Sequence, residues 1–307
     1  MRILVVGAGA TGGLFGGRLA YAGRDVTFLV RPPRARQLRA DGLRIHSPLG
    51  DLTLKPQIVE TGAIASPYDV ILLGLKAFAL KGAIEDFAPA VGSDTMILPM
   101  LNGMRHIDML AERFGERAVL GGVCVVASML NEQGDIVQLN ELQSLSYGER
   151  DGTISPRIRA LDEAMLGCGF TARVSNRIVQ EMWDKWVFLA ALGAATCLMR
   201  GSVGTIVASG GAEVSTALLS ECAAVARSAG YLPSEAMLAE TRARMTEPGS
   251  PLASSMYRDL QHGRNVEADH ILGDLLARAR QSGIATPLLA AAYVQLRIYQ
   301  RTLEQPA

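Results

Sequence analysis

"RILVVGAGATGGLFGGRLAYAG", Arg2 to Gly23, reads as strand, glycine turn and helix. Ile3–Val6 is a fully apolar run, the pattern of a central parallel strand buried on both faces. The turn is Gly7-x-Gly9-x-x-Gly12. Gly7 permits the tight turn, Gly9 lets backbone approach a pyrophosphate, and Gly12 lets helix and strand pack closely. The N–H groups that open the helix then face the anion. Gly7, Ala8, Gly9, Ala10, Thr11 and Gly12 are therefore candidate cofactor contacts. A glycine-rich packing turn without a ligand is the plainer alternative. The context favours the first reading, because a second apolar run, Asp25–Val30, follows at the spacing of a dinucleotide-binding unit.

The end of that second run bears on the choice of cofactor. An NAD site places Asp or Glu there for the ribose 2′-hydroxyl. This chain places Arg31, followed by Arg34 and Arg36. A guanidinium clasps a 2′-phosphate through two N–H groups and accepts nothing from a hydroxyl. The expected cofactor is NADP(H), with Arg31 on the phosphate. Arg34 and Arg36 read equally well as a solvated helix face.

Further strands are expected within Asp69–Phe78 and Asp94–Gly103. Their carboxyl ends carry Lys76 and Asn102, and ligands of open α/β sheets bind at such ends. "AVLGGVCVVASML", "GDIVQL" and "QSLSYGE" read as β segments around a turn at Asn131–Gly134, expected to extend the sheet with antiparallel strands. After Ser175 the β pattern gives way to helices over Arg177–Met199, Ala212–Ala229, Ser234–Thr246, Leu252–His262, Val266–Ser282 and Pro287–Leu303. "RGSVG" breaks the first of these. The expectation is an α/β Rossmann domain over 1–175 and an all-α domain over 176–307, with a ligand cleft between them.

Composition sets the outer limits. The 307 residues are 49% hydrophobic and 20% charged, with 30 basic against 30 acidic side chains. No global field points to nucleic acid or to an anionic membrane. The longest apolar stretch, Trp186–Met199, is shorter than the roughly 20 residues a bilayer requires. The apolar run at the N-terminus leads directly into the glycine turn and reads as a strand, not as a signal peptide. Cys124, Cys168, Cys197 and Cys222 are scattered in apolar surroundings, as in a reduced cytoplasmic protein. Neither they nor the four histidines, His46, His106, His262 and His270, show metal-ligand spacing, so no metal is expected.

"EMWDKWVFLAALGAAT", Glu181–Thr196, sets Lys185 between Trp183 and Trp186 at the mouth of an apolar helix. A lysine stem lying along apolar surface explains this cheaply. A positioned ammonium walled by two indoles explains it better if carbonyl chemistry occurs nearby. Partial desolvation would lower the pKa of such an ammonium toward the working range.

Five separated pieces resemble one family, the ketopantoate reductases (2-dehydropantoate 2-reductases): "GAGATG", "GLKAF" around Lys76, "LNG" at Asn102, "WDKW" at Lys185, and "SSMYRDLQHGRNVEADHILG" from Ser254 to Gly273. They span the chain in order. The resemblance implies a Rossmann domain joined to a helical domain like that of 6-phosphogluconate dehydrogenase, and NADPH-dependent reduction of a 2-oxo acid, ketopantoate first. It makes Lys185 the general acid, sets Glu267 on the cofactor near the reaction centre, and places Asn102 and Ser255 at the substrate. The partner is a small 2-oxo acid, and a homodimer is compatible with the sequence.

One departure stands out. The family's lysine is followed by asparagines four and eight residues later and by another ten further on. This chain has Leu189, Gly193 and Val203 there. The face beside Lys185 should be wider and drier, which points to a paralogue acting on a more apolar 2-oxo acid or ketone. Arg200, extrapolated about 60° around the same helix, is a candidate replacement anchor for the substrate carboxylate, although the helix dipole alone favours an arginine there. A non-catalytic NADP(H)-binding sensor is the remaining alternative, and Lys185, Ser255 and Glu267 argue against it.

Overall fold

The computed structural model describes residues 1–304 and divides into two units, Met1–Leu101 with His106–Val179, and Asn102–Arg105 with Gln180–Ala307. In chain order the first unit contains β1 (Arg2–Val6), α1 (Ala10–Tyr21), β2 (Asp25–Leu29), α2 (Pro32–Asp41), β3 (Leu43–His46), β4 (Leu52–Leu54), β5 (Gln57–Val59), β6 (Val70–Leu73), α3 (Leu80–Phe87), β7 (Met96–Pro99), most of α4 (Arg105–Phe114), β8 (Gly121–Leu130), β9 (Ile136–Gly148), α5 (Pro156–Met165) and β10 (Thr171–Val174).

β5, β2, β1, β6 and β7 form, in that order, a wholly parallel sheet. Chain order reverses between β1 and β6, and a crevice for a ligand opens at the carboxyl ends of such strands. The expected antiparallel extension of this sheet does not occur. β8 and β9 pair with each other and build a second sheet of order β10-β9-β3-β4, with β8 on β9. "GDIVQL" and "QSLSYGE" belong to one continuous strand, β9, and the turn at Asn131–Gly134 is the hairpin tip.

α1 lies between the two sheets, and its glycines make this possible. A Cβ on Gly16 would lie 2.8 Å from Val5 of the first sheet, and one on Gly17 would lie 2.8 Å from Ile45 of the second. Each helical glycine costs about 1 kcal/mol relative to alanine. The helix recovers this by burying both faces, with Leu14, Phe15 and Leu19 fully enclosed.

The second unit is helical: α6 (Ile178–Leu198), α7 (Val203–Ala208), α8 (Ala212–Ser228), α9 (Glu235–Met245), α10 (Ser255–Gln261), α11 (Asp274–Gln281) and α12 (Pro287–Glu304). α6 is apolar around most of its circumference and is buried accordingly. "RGSVG" ends it, and Val203 then opens α7 with Ser202 as cap, accepting from Thr205 N–H. The helix expected from Leu252 starts at Ser255, where the Ser254 side chain accepts from Tyr257 N–H. The one expected from Val266 is irregular: a π-turn over Asp269–Gly273 precedes α11.

Gly16→Val should destabilise the protein by about 1–3 kcal/mol, the usual cost of overpacking, read as a shift in the denaturant midpoint. An unchanged midpoint would show that α1 does not depend on close approach to the first sheet.

Candidate active site

In the first unit the carboxyl ends of β1, β2 and β6 meet at the glycine turn. Gly7 N–H donates to Leu29 O, and Gly74 N–H donates to Val6 O, both at 3.0 Å. A Cβ on Gly12 would lie 2.2 Å from Gly7 O and 3.1 Å from Gly74 Cα. The turn is thus pressed backbone to backbone against the end of β6, and Gly7 holds φ +93°, a region closed to most side chains. Gly9 caps α1 with no side-chain bond, and the first turn holds no acidic residue. The helix opening therefore presents N–H donors without a competing carboxylate, which suits a pyrophosphate.

Arg31 is exposed two residues beyond β2 as the cap of α2, and Lys76 is exposed three residues beyond β6. Arg34 is neither a free phosphate ligand nor a solvated side chain. Its Nε and Nη2 donate to Ala8 O at 3.1 and 2.9 Å, and its Nη1 donates to Gly134 O at 2.8 Å. It clamps the glycine turn to the β8–β9 hairpin tip. Arg36 is exposed. Apart from Gln37 Oε1, three residues on, the acceptors of Arg34 are main-chain atoms 26 and 100 residues away, so the signal for it lay outside the motif.

In the second unit the candidates gather on the π-turn. Trp186, one residue after Lys185, donates its indole N–H to Ile271 O at 2.9 Å. Gly103, one residue after Asn102, lies so close that a Cβ would be 2.9 Å from His270 O. Glu267 lies two residues before the turn, and its carbonyl accepts from Ile271 N–H at 3.0 Å. Asn102, Lys185 and Glu267 are all half-buried. Ser255 is exposed at the first position of α10, which packs farther along α6, near Gly193 and Thr196.

The tryptophans do not wall Lys185 as expected. Both are 1% exposed. Trp183 stacks on Tyr231 with ring centres 5.1 Å apart, and the Arg278 guanidinium lies 5.7 and 5.6 Å from the two ring centres. At about 100° per residue, Lys185 points roughly 100° or more away from either indole. The pair anchors the helix, and Lys185 projects from another side.

Arg200 does not continue α6. The helix ends at Leu198, and Arg200 takes φ +57°, the left-handed conformation usually left to glycine at a helix end. Its carbonyl accepts from Tyr257 Oη at 2.7 Å. The angular extrapolation that made it a carboxylate anchor therefore fails. The space expected at Gly193 is also closed, since a Cβ there would lie 2.8 Å from Met256 Cε.

Amine chemistry in this unit has one source. The chain has four lysines, Lys55, Lys76, Lys81 and Lys185, so every residue from 82 to 307 but one lacks an amine side chain. The other cations of the helical unit are arginines, which hold their protons at neutral pH. Burial pushes the His270 imidazole down to about 4, and nearby Arg105 pushes it the same way, so His270 is neutral and offers no ready acid. A sequence count alone would have revealed the isolation of Lys185.

The parallel sheet and its glycine turn define a Rossmann-type unit, followed here by a helical one. The chain belongs to the ketopantoate reductase family: the model described as "Ketopantoate reductase PanE/ApbA" matches residues 3–152, and its C-terminal counterpart matches residues 177–300. The chain is 37% identical over 301 residues to "Uncharacterized oxidoreductase YkpB" of Bacillus subtilis, covering 98% of this chain and 99% of that one. It is 27% identical to a 2-dehydropantoate 2-reductase of Mesorhizobium japonicum, covering 97% of each. The solved 2-dehydropantoate 2-reductase of Methylococcus capsulatus superposes with TM-score 0.88 at 26% identity, covering 100% of this chain and 99% of that one. The family is one of pyridine-nucleotide-dependent oxidoreductases.

The π-turn is held by α12. Asp269 Oδ1 accepts from Tyr293 Oη at 2.7 Å and from Arg297 Nη1 at 2.8 Å. Burial alone would raise the Asp269 pKa, and the bonds from Arg297 and Tyr293 outweigh it and hold the carboxylate below its ordinary value. A depressed pKa means that the clamp is complete above the ordinary aspartate value, about 3.9, and is lost as pH falls through the lowered one. Asp269→Asn should speed amide exchange over residues 266–273 at neutral pH, whereas the native turn should loosen only in acid. Equal exchange in both proteins at neutral pH would remove the clamp from the account.

Proposed function

We propose that this chain reduces a 2-oxo acid to the 2-hydroxy acid with NADPH, using Lys185 as the proton donor. The observation that supports the reading is that Lys185 is the one lysine after Lys81, one residue before Trp186, whose indole bonds the π-turn next to Glu267. Residues 1–175 are the cofactor domain in this reading and 176–307 the substrate domain.

A nicotinamide nucleotide held at the glycine turn supplies the hydride. As the hydride joins the carbonyl carbon, the π pair of the C=O bond moves onto oxygen. The Lys185 ammonium stabilises that growing charge and gives the oxygen its proton, leaving a neutral amine to be reprotonated by solvent. Glu267 orients the cofactor, and Asn102 and Ser255 offer hydrogen bonds to substrate. Gly7–Gly12 would receive the cofactor phosphates, Lys76 and Asn102 would touch the cofactor, and Arg31 would take the 2′-phosphate, since β2 itself ends without a carboxylate for a ribose hydroxyl. Several relatives are named 2-dehydropantoate 2-reductases, which makes 2-dehydropantoate the first substrate to test and pantothenate synthesis in the cytoplasm the setting.

Arg31→Ala should weaken NADPH by about 1.5–3 kcal/mol, the share of a charge-assisted hydrogen bond, and leave NADH nearly unaffected. Titration of cofactor fluorescence measures both, and equal losses would remove Arg31 from the phosphate. Lys185→Ala should lower kcat by about 10²–10⁴-fold in an NADPH oxidation assay with a panel of 2-oxo acids, with cofactor affinity unchanged. Near-normal turnover by that variant would overturn the mechanism. Absence of turnover by the native protein on the whole panel would leave the sensor.

A further inference from the structure

The glycine turn has little of its own to hold it still. Gly7 and Gly9 carry no Cβ, and glycine loses more conformational freedom on ordering than any other residue. On the helix side the turn is fixed by Gly9 O, which accepts from Gly13 N–H at 2.8 Å, the first bond of α1. On the other side the holding group is Arg34. Its Nε and Nη2 both donate to Ala8 O, at 3.1 and 2.9 Å. A trans peptide is planar, and its C=O and N–H point opposite ways. Fixing Ala8 O therefore fixes the direction of Gly9 N–H. With the Gly9 carbonyl also held, the aim of the donors that open α1 is set from both sides.

Arg34 is itself held. Its Nη1 donates to Gln37 Oε1 at 2.7 Å and to Gly134 O at 2.8 Å. A guanidinium has five N–H donors, and these bonds together engage four of them. The single N–H left on Nη2 cannot make the two-pronged clasp that a phosphate invites. Gln37 also donates through Nε2 to Gln133 O, so two side chains of α2 grip the β8–β9 hairpin tip. Gly134 stands at φ +79°, and a Cβ there would lie 2.9 Å from Arg34 Nη1. Burial lowers the pKa of the guanidinium, and Asp135, the next residue of the tip, acts against that. The clamp stays charged.

We propose that Arg34 is a positioning residue of the cofactor site: held by the hairpin tip, it sets the Ala8–Gly9 peptide for the pyrophosphate of either nicotinamide dinucleotide and makes no contact with a 2′-phosphate. The inference rests on the reading of the glycine turn as the pyrophosphate site. A turn already in its bound conformation does not have to be ordered when the anion arrives, and affinity rises without a new contact. Arg31 and Arg34 then answer to different parts of the cofactor. Arg31 meets the phosphate that tells NADPH from NADH, and Arg34 serves the part that the two share.

Titration of cofactor fluorescence with NADPH and with NADH tests this. Arg34→Ala should raise both Kd values by the same factor, about five- to thirtyfold, the equivalent of one residue's backbone freedom. The ratio of the two Kd values should stay native. In the phosphorus NMR spectrum of bound NADPH the pyrophosphate signals should move, and the 2′-phosphate signal should keep its native position. Gly134→Ala pushes the end of Arg34 away from the hairpin tip and should show the same pattern, so it serves as the readout if Arg34→Ala does not fold. In an Arg34→Ala background it should add nothing, because it acts through the arginine. A loss confined to NADPH, a displaced 2′-phosphate signal, native affinity in either variant, or additive losses in the double variant would overturn the proposal. A native protein that binds neither cofactor would reject the glycine turn as a pyrophosphate site, and the proposal with it, and is looked for before any variant is made.

Discussion

The hydrogen bond from the Trp186 indole to Ile271 O joins the most buried helix of the second unit to its most irregular segment. Both partners need it. An indole N–H at 1% exposure has no water to turn to, and a buried donor left unmet costs about 1–3 kcal/mol. A π-turn, for its part, interrupts the regular ladder and persists where outside contacts hold it. Here it is held from three directions, by Trp186 of α6, by Gly103 against His270 O, and by Tyr293 and Arg297 of α12 on Asp269. Asn102, Lys185 and Glu267 each lie within a residue or two of one of these contacts. Their positions along the chain follow from what the turn requires to exist.

Much of this was legible in the sequence wherever the constraint was local. The glycine turn could be read because Gly12 answers to Gly7 five residues back, and the turn's outside neighbour, Gly74, sits at the end of an evident apolar strand. The long apolar helix was visible because burial on all sides leaves no polar face. The second sheet was not visible. β3, β4 and β10 are three or four residues long, and what makes them strands is pairing with one another and with β9, far off in the chain. Periodicity over so few residues carries little information.

The same division runs through the site. Lys185 could be singled out, but the purpose of its two tryptophans could not. Their partners, Tyr231, Ile271 and Arg278, are supplied by α11, the π-turn and the loop after α8. Gly193 read as a gap because a sequence shows what a residue lacks and not what moves in to replace it. Met256, 63 positions on, occupies that space. Arg200 read as the continuation of a helix, whereas its left-handed backbone ends one.

Contacts at a reacting carbonyl and contacts elsewhere on a substrate act on different quantities. In the proposed reaction Lys185 would meet charge that develops as the carbonyl is reduced, so its interaction would grow toward the transition state and belong to kcat. Contacts with substrate carbon that does not change during the reaction act otherwise. Contacts of that kind bind ground state and transition state alike and lower KM without raising kcat. In the proposed reaction a chain could thus exchange polar groups for apolar ones along α6 and keep the lysine, because the helix places it independently of its neighbours on that face. The apolar face beside an intact Lys185 is on this argument a change in what is reduced, made without a change in how.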